Sequence, residues 1–290
     1  MPEGTREKYA LVTGAGTGLG FATAKLMATQ GWKVYGTHLP SQSAEALQRS
    51  GVVPIVMDVT DERSVKDGYD RISKEVGQGG LATLVNVAAL AEIAGGVIEG
   101  VPMERIKALF EVNVFGTLRV IQTFLPLLRA YGPARIVNVG STATRIPIPF
   151  SGIYAISKFA IMGITNSLRF ELAPFGIQVT SIEPGAMDTP MTADHQANLE
   201  KTWSRMPSFV QELYRPKLGP TLAAMREGLE KADPPEVLAA LIGKVLQAKT
   251  MKMRYVGGRG TTSLVVMNNL LGENLTESLI KKALKLNPAS

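Results

Sequence analysis

Seven short apolar runs, separated by stretches long enough for a helix, constrain this 290-residue chain more than any other feature. They are YALVT (9–13), KVYGT (33–37), VVPIVM (52–57), ATLVNV (82–87), RIVNV (135–139), IQVTSI (177–182) and MRYV (253–256). Each is rich in β-branched residues and apolar throughout rather than alternating, as strands buried on both faces require. Helical patterns cover 19–30, 43–49, 62–76, 103–130, 154–174 and 234–248 between them. Strand and helix in strict alternation give a parallel sheet whose crossover helices lie on both faces. The expected fold is α/β: a single doubly wound parallel sheet of about seven strands. No repeat or linker divides the chain, so residues 1–290 are read as one domain.

The first strand runs directly into TGAGTGLG (13–20) and then into a helix. Glycine lets the backbone approach a phosphate closely, and the free N–H groups of a helix start attract anions. Gly14, Gly18 and Gly20, with Thr17 and Leu19 between them, are therefore the expected pyrophosphate cradle of a dinucleotide. The chain has no GxxxxGK[ST] motif, so a nucleoside triphosphatase is not indicated. The second strand ends in YGTHLPS, where an Asp would hold a ribose hydroxyl or an Arg a 2′-phosphate. His38 and Leu39 stand there instead, and Thr17 is not basic. That favours NAD(H) and leaves NADP(H) open.

YAISK places Tyr154 and Lys158 one turn apart on one helix face, with Ser141 thirteen residues earlier. Beside a nucleotide cradle, such a pair reads as a phenol tuned to move a proton. An ordinary tyrosine titrates near 10, so a neighbouring ammonium, with the positive nicotinamide ring of an oxidised cofactor, is expected to lower it.

Composition removes other chemistries. With no cysteine there is no disulfide and no thiolate nucleophile, and His38 and His195 build no zinc motif. No metal site is expected. The net charge of +6 comes without a dense basic run interleaved with aromatics, so nucleic acid is not an expected partner. No signal-like apolar segment precedes the first strand and no run reads as a membrane span. A cytoplasmic protein without membrane contact is the expectation; the basic C-terminal LIKKALKLNP reads as a solvated helix face.

Residues 190–232 break the rhythm, with Trp203, Met206, Phe209, Tyr214 and Met225 in helical fragments and no strand. So long a connection is expected to be a substrate lid whose aromatics form an apolar wall. Truncating Trp203 or Phe209 should then alter substrate preference while stability moves little. Residues 259–290 are read as a C-terminal extension.

TGxxxGxG at 13–20, DVTD at 58–61, NVFG at 113–116, Ser141, Tyr154-x3-Lys158 and Pro184-Gly185 occur in that order. Together they resemble the short-chain dehydrogenase/reductase family over residues 8–256, with its Rossmann-type fold. THLPSQSAEALQ, EPGAMDTPMT, TWSRMPSFVQELY and MRYVGG are similar to the branch holding retinol dehydrogenases, type-2-like 17β-hydroxysteroid dehydrogenases and 3-hydroxybutyrate dehydrogenase. The resemblance implies that Tyr154 is the general acid/base, Lys158 its activator, Ser141 the group polarising the substrate oxygen, and Asn113 the holder of a relay water. It implies adenine contacts at Asp58 and Val59, a ribose-side wall at Asn86 and Ala88, and nicotinamide contacts at Pro184, Gly185 and Thr189. Tyr154 and Lys158 are expected to touch the cofactor too, and a homodimer or homotetramer is expected. Two departures stand out: NVAA (86–89) where the family usually reads NNAG, and Gly140 before Ser141 where many members have two serines.

The expected function is hydride transfer between a nicotinamide cofactor and an apolar alcohol or ketone such as a steroid, retinoid or polyketide-like compound. A nucleotide-sensing or scaffold protein on the same fold, or a small 3-hydroxy-acid dehydrogenase, are the alternatives.

Overall fold

The computed structural model describes residues 7–90, 96–146, 149–189, 200–201, 203–229, 232–284 and 286. All seven expected strands form, as β1 (Tyr9–Val12), β2 (Lys33–His38), β3 (Val53–Val56), β4 (Thr83–Asn86), β5 (Arg135–Val139), β6 (Gln178–Pro184) and β7 (Arg254–Gly257). They make one sheet in the order β3-β2-β1-β4-β5-β6-β7, every pairing parallel. The order reverses between β1 and β4, and ligands of open α/β sheets bind at the carboxyl ends of the strands there.

Helices α1 (Gly18–Thr29), α2 (Glu45–Arg49), α3 (Glu62–Val76), α4 (Met103–Phe110), α5 (Thr117–Tyr131) and α6 (Gly152–Glu171) follow the chain. They are followed by α7 (Ser208–Leu229), α8 (Pro235–Gln247), α9 (Thr261–Leu271) and α10 (Glu273–Ala283). One core lies under α3, α5 and α6, where Ile72, Val120, Phe124 and Leu168 meet Leu11, Leu84 and Ile136 of the sheet. The opposite core joins α1 and α8 through Leu19, Met27, Leu238 and Ile242 to Val12, Val34, Val85 and Val137. The two faces thus divide alternate residues of each strand, which explains why the strands read as continuous apolar runs.

The single helix read over 103–130 is two helices joined by a π-type turn, Glu111–Gly116. Such wider turns cluster at functional sites, and this one carries Asn113. At its end a Cβ on Gly116 would stand 2.7 Å from Val59 Cγ2, so glycine is what lets the turn close on the strand-β3 loop. By length and composition Met103–Tyr131 passes as a membrane span, but its Val120, Ile121, Phe124 and Leu128 are core residues.

Candidate active site

The cradle is built as its sequence requires. Gly14 and Gly18 both have positive φ, at 63° and 54°. A Cβ on Gly14 would lie 2.8 Å from Ala88 Cα, and one on Gly20 would strike the Gly14 carbonyl. Thr17 caps α1 in extended geometry with no side-chain cap bond, and the first turn holds no acid. By contrast Asp61 caps α3 by accepting from the Arg63 and Ser64 amides. The start of α1 keeps its N–H groups and positive dipole end for an anion, which fits the pyrophosphate of a dinucleotide.

Thr13 Oγ1 accepts from both the Val87 and Ala88 amides, at 3.0 and 3.1 Å. Thr37 Oγ1 accepts from the Gly14 amide at 3.0 Å. These hydroxyls, which the sequence reading did not single out, lock the cradle to β2 and to the NVAA segment. Ala88 therefore packs against the cradle at Gly14. Asn86 turns its amide along the sheet, donating to Asn138 Oδ1 at 2.8 Å, while Asn138 donates to Thr165 at 2.9 Å.

At the adenosine end, His38 is buried with Nδ1 3.0 Å from the Leu39 carbonyl, and Leu39 is exposed. Asp58 Oδ1 accepts from the Thr60 amide and hydroxyl, at 2.9 and 2.7 Å, shaping the turn after β3. Val59 is buried and its carbonyl accepts from Arg119 at 2.6 Å.

The catalytic candidates meet at the carboxyl end of β5. Ser141 follows that strand, and its Oγ accepts from the Ala143 amide at 3.1 Å. The Tyr154 hydroxyl is hydrogen bonded to Ser141, and the Lys158 Nζ lies 5.5 Å from the Tyr154 ring centroid. Lys158 is buried and donates to the Val139 carbonyl at 2.9 Å. Tyr154 packs with Leu109, Ile153, Val101 and Ile106.

Burial acts on the two groups in opposite directions. Burial pushes the Tyr154 phenol up to about 12, and the Ser141 hydrogen bond only partly offsets it. Burial likewise lowers Lys158 to about 8. The Lys158 hydrogen bond goes to Val139 rather than to the phenol.

The Asn113 side chain is fully engaged by the protein. Its Oδ1 accepts from the Leu90 amide at 2.7 Å, and its Nδ2 donates to the Leu90 carbonyl and to Ser157 Oγ, at 3.0 and 3.1 Å. Ser157 in turn donates to the Tyr154 carbonyl at 2.7 Å. The Asn113 side chain thus braces the segment after β4 against α6.

The Thr142 hydroxyl donates to the Pro184 carbonyl at 2.9 Å, joining the Ser141 turn to the expected nicotinamide loop. The Gly185 amide donates to Gly257 at 2.9 Å, and Thr189 lies at the loop's far end. Beneath that loop the buried Glu183 pairs with Arg145 of the Ser141 loop and faces Arg254 of β7 at 3.8 Å. Arg145 carried no recognisable motif, and although Arg254 lies within MRYVGG, nothing in that stretch pointed to an ionic partner.

Of the expected lid, residues 190–199, 202, 230 and 231 lie outside the described residues. The side chains at 219, 220 and 222–229, Met225 among them, are likewise outside the description, and the described ones divide between a small core and the surface. Trp203, Met206 and Val210 are buried in a small core with Phe150, and the Trp203 and Phe150 rings meet edge to face at 5.8 Å. Phe209 is 55% exposed, and Tyr214 donates to Glu99 at 2.7 Å. Phe150 comes from the loop between Ser141 and Tyr154, so Trp203 and Met206 support that loop from behind.

The short chain dehydrogenase family model matches residues 8–200. An uncharacterised oxidoreductase of Bacillus subtilis, YusZ, is 32% identical over 286 residues, covering 96% of this chain and 99% of its own. Mouse retinol dehydrogenase 16 is 31% identical over 233 residues, 79% of this chain and 72% of its own. A short-chain dehydrogenase structure from Streptomyces avermitilis superposes with a TM-score of 0.73 at 25% identity, over 99% and 98% of the two chains. One from Burkholderia cenocepacia, solved with NADP, gives 0.66 at 29% identity, over 87% and 96%.

Proposed function

The chain belongs to the short-chain dehydrogenase family, and from that premise we propose that it interconverts an apolar alcohol and its ketone or aldehyde. The observation that carries this reading is the Ser141–Tyr154 hydrogen bond with Lys158 one helical turn on, at the strand ends beside the glycine cradle. When bound, a nicotinamide dinucleotide supplies the hydride donor or acceptor. Gly14, Gly18 and Gly20 with the α1 amides would hold its pyrophosphate, and Pro184, Gly185 and Thr189 would line its nicotinamide end.

In reduction, the Ser141 and Tyr154 hydroxyls together hold the substrate carbonyl oxygen. Tyr154 gives its proton to that oxygen as the alcohol forms, and the Lys158 ammonium stabilises the phenolate left behind. In oxidation the same phenolate takes the alcohol proton. A neutral, high-titrating phenol is the form that reduction needs at the start. The apolar residues around Tyr154 support an apolar substrate, since pockets of this kind are mostly apolar with a few placed polar groups. Preference for NAD(H) is supported by the uncharged Thr17 and Leu39. Exposed Phe115, Ile156 and Phe159 support self-association as a homodimer or homotetramer.

The test is a panel of apolar alcohols and ketones assayed with NADH and NADPH side by side. Substrate-dependent consumption or formation of reduced nicotinamide is expected. Tight cofactor binding with no turnover across the panel would favour the nucleotide-sensing alternative instead.

A further inference from the structure

We infer that Asp233 is a positioning residue for the reacting end of the site: it clasps the loop after Pro184-Gly185 to the turn after β7 and to α8. The inference rests on the oxidoreductase reading above, since that loop is the expected nicotinamide contact. Asp233 stands between the expected lid and α8 and belongs to none of the motifs read in the sequence.

Both its main chain and its side chain are committed. The Asp233 amide donates to the Ala186 carbonyl at 3.2 Å, and its carbonyl accepts from the Asp188 amide at 2.8 Å, a parallel bridge opposite Met187. Its carboxylate belongs to a residue only 4% exposed and accepts from the Arg259 amide, with Arg259 Nε 3.6 Å from Oδ1. Arg259 lies in the turn between β7 and α9, and that turn wraps Gly185. The Gly185 amide donates to Gly257, and a Cβ on Gly185 would strike Thr261 Oγ1. Gly258 has a φ of 121°, and a Cβ there would stand 3.4 Å from the Gly185 nitrogen. So tight a turn leaves the Arg259 amide facing inward, and the Asp233 carboxylate is the acceptor it finds.

Behind Asp233 the anchor is stiff. Pro234 and Pro235 fix φ and lead straight into α8. Leu238 and Ile242 of α8 lie in the core beneath the sheet, and Met187 packs against the same core. The other neighbour of α8 is α1, the helix that starts at the glycine cradle: a Cβ on Gly243 would stand 3.3 Å from Leu26 Cδ2. One helix therefore abuts the cradle helix along its length and, at its own start, holds the loop at the opposite end of the cofactor path. A dinucleotide has to span those two places, so fixing their separation orients its reacting ring. Without the carboxylate the main-chain bridge remains, but the turn around Gly185 loses its tie to α8.

The experiment compares the parent with Asp233→Ala, Asp233→Asn and Asp233→Glu. It titrates ADP and NADH by calorimetry and follows amide hydrogen exchange without nucleotide. ADP carries the adenosine and the pyrophosphate and stops short of the nicotinamide. Asp233→Ala should bind NADH about tenfold more weakly, the scale of one buried charge-assisted hydrogen bond, with ADP affinity within about twofold of the parent. In the same variant the Gly185, Asp188 and Arg259 amides should exchange at least about tenfold faster, while those of β1 keep their protection. Asp233→Asn retains an acceptor for the Arg259 amide and should recover most of the NADH affinity. Asp233→Glu, which moves the acceptor by one methylene, should weaken NADH alone and serves where Asp233→Ala does not fold. Equal weakening of ADP and NADH, or faster exchange in β1 as well, would show a general loss of structure and overturn the inference. So would parental NADH affinity with parental exchange in Asp233→Ala. A folded parent that binds neither nucleotide overturns the oxidoreductase reading, while the exchange measurement still decides for or against the clasp.

Discussion

Burial moves the titrations of Tyr154 and Lys158 in opposite directions, the phenol up to about 12 and the ammonium down to about 8. Burial penalises whichever form is charged, so the free enzyme holds a neutral phenol, and Lys158 keeps its charge only below about 8. For ketone reduction, kcat/KM reports these free-enzyme groups. The profile should be level on the acid side of the Lys158 titration and fall as pH rises through about 8, where the ammonium that stabilises the new phenolate is lost. Lys158→Met should lower the rate throughout and remove the falling limb. A rate that climbs through that interval would show that phenol ionisation, not lysine charge, limits the reaction. The identities of Tyr154, Lys158 and Ser141 were legible in their spacing. The direction of the phenol's shift was not, because it depends on packing against Leu109 and Ile153, which come from two helices.

Seven strands and most helix limits could be read from the chain because burial on both sheet faces leaves continuous apolar runs. Failures came where a distant partner decides the outcome. The π-type turn at 111–116 looked like plain helix, since its wider spacing serves the Leu90 and Ser157 contacts of Asn113. The density of large apolar residues after 200 was visible, but not that Phe150 would cover Trp203 and Met206. This reverses the expected pattern for Trp203. Trp203→Ala should cost about 3–5 kcal/mol in urea unfolding, as for a buried aromatic. It should also disturb kcat through the Phe150 loop. Phe209→Ala, at an exposed position, should stay within about 0.5 kcal/mol. Equal stability of the two variants would mean that the small core carries no load.

At the scale of the whole molecule, three chain segments converge on Glu183: the Ser141 loop through Arg145, β6 itself, and β7 through Arg254. Removing one member of a buried ionic group leaves the others without compensation, which costs about 3–5 kcal/mol. Glu183→Ala should lose that much, read as a lower urea midpoint with an unchanged slope, and Glu183→Asp should recover part of it. Stability equal to the parent would show the arginines find other partners. The sheet carries the glycine turn on β1, the Ser141 turn on β5 and the Pro184–Gly185 loop on β6, so such losses reach the candidate site through geometry. The most direct test of the account compares the parent with Tyr154→Phe in single-turnover ketone reduction, with cofactor affinity measured on both proteins. The account predicts that the variant binds cofactor as the parent does and reduces at least about a hundredfold more slowly, because only the proton donor is gone. Reduction at the parental rate by a fully folded Tyr154→Phe protein would contradict it.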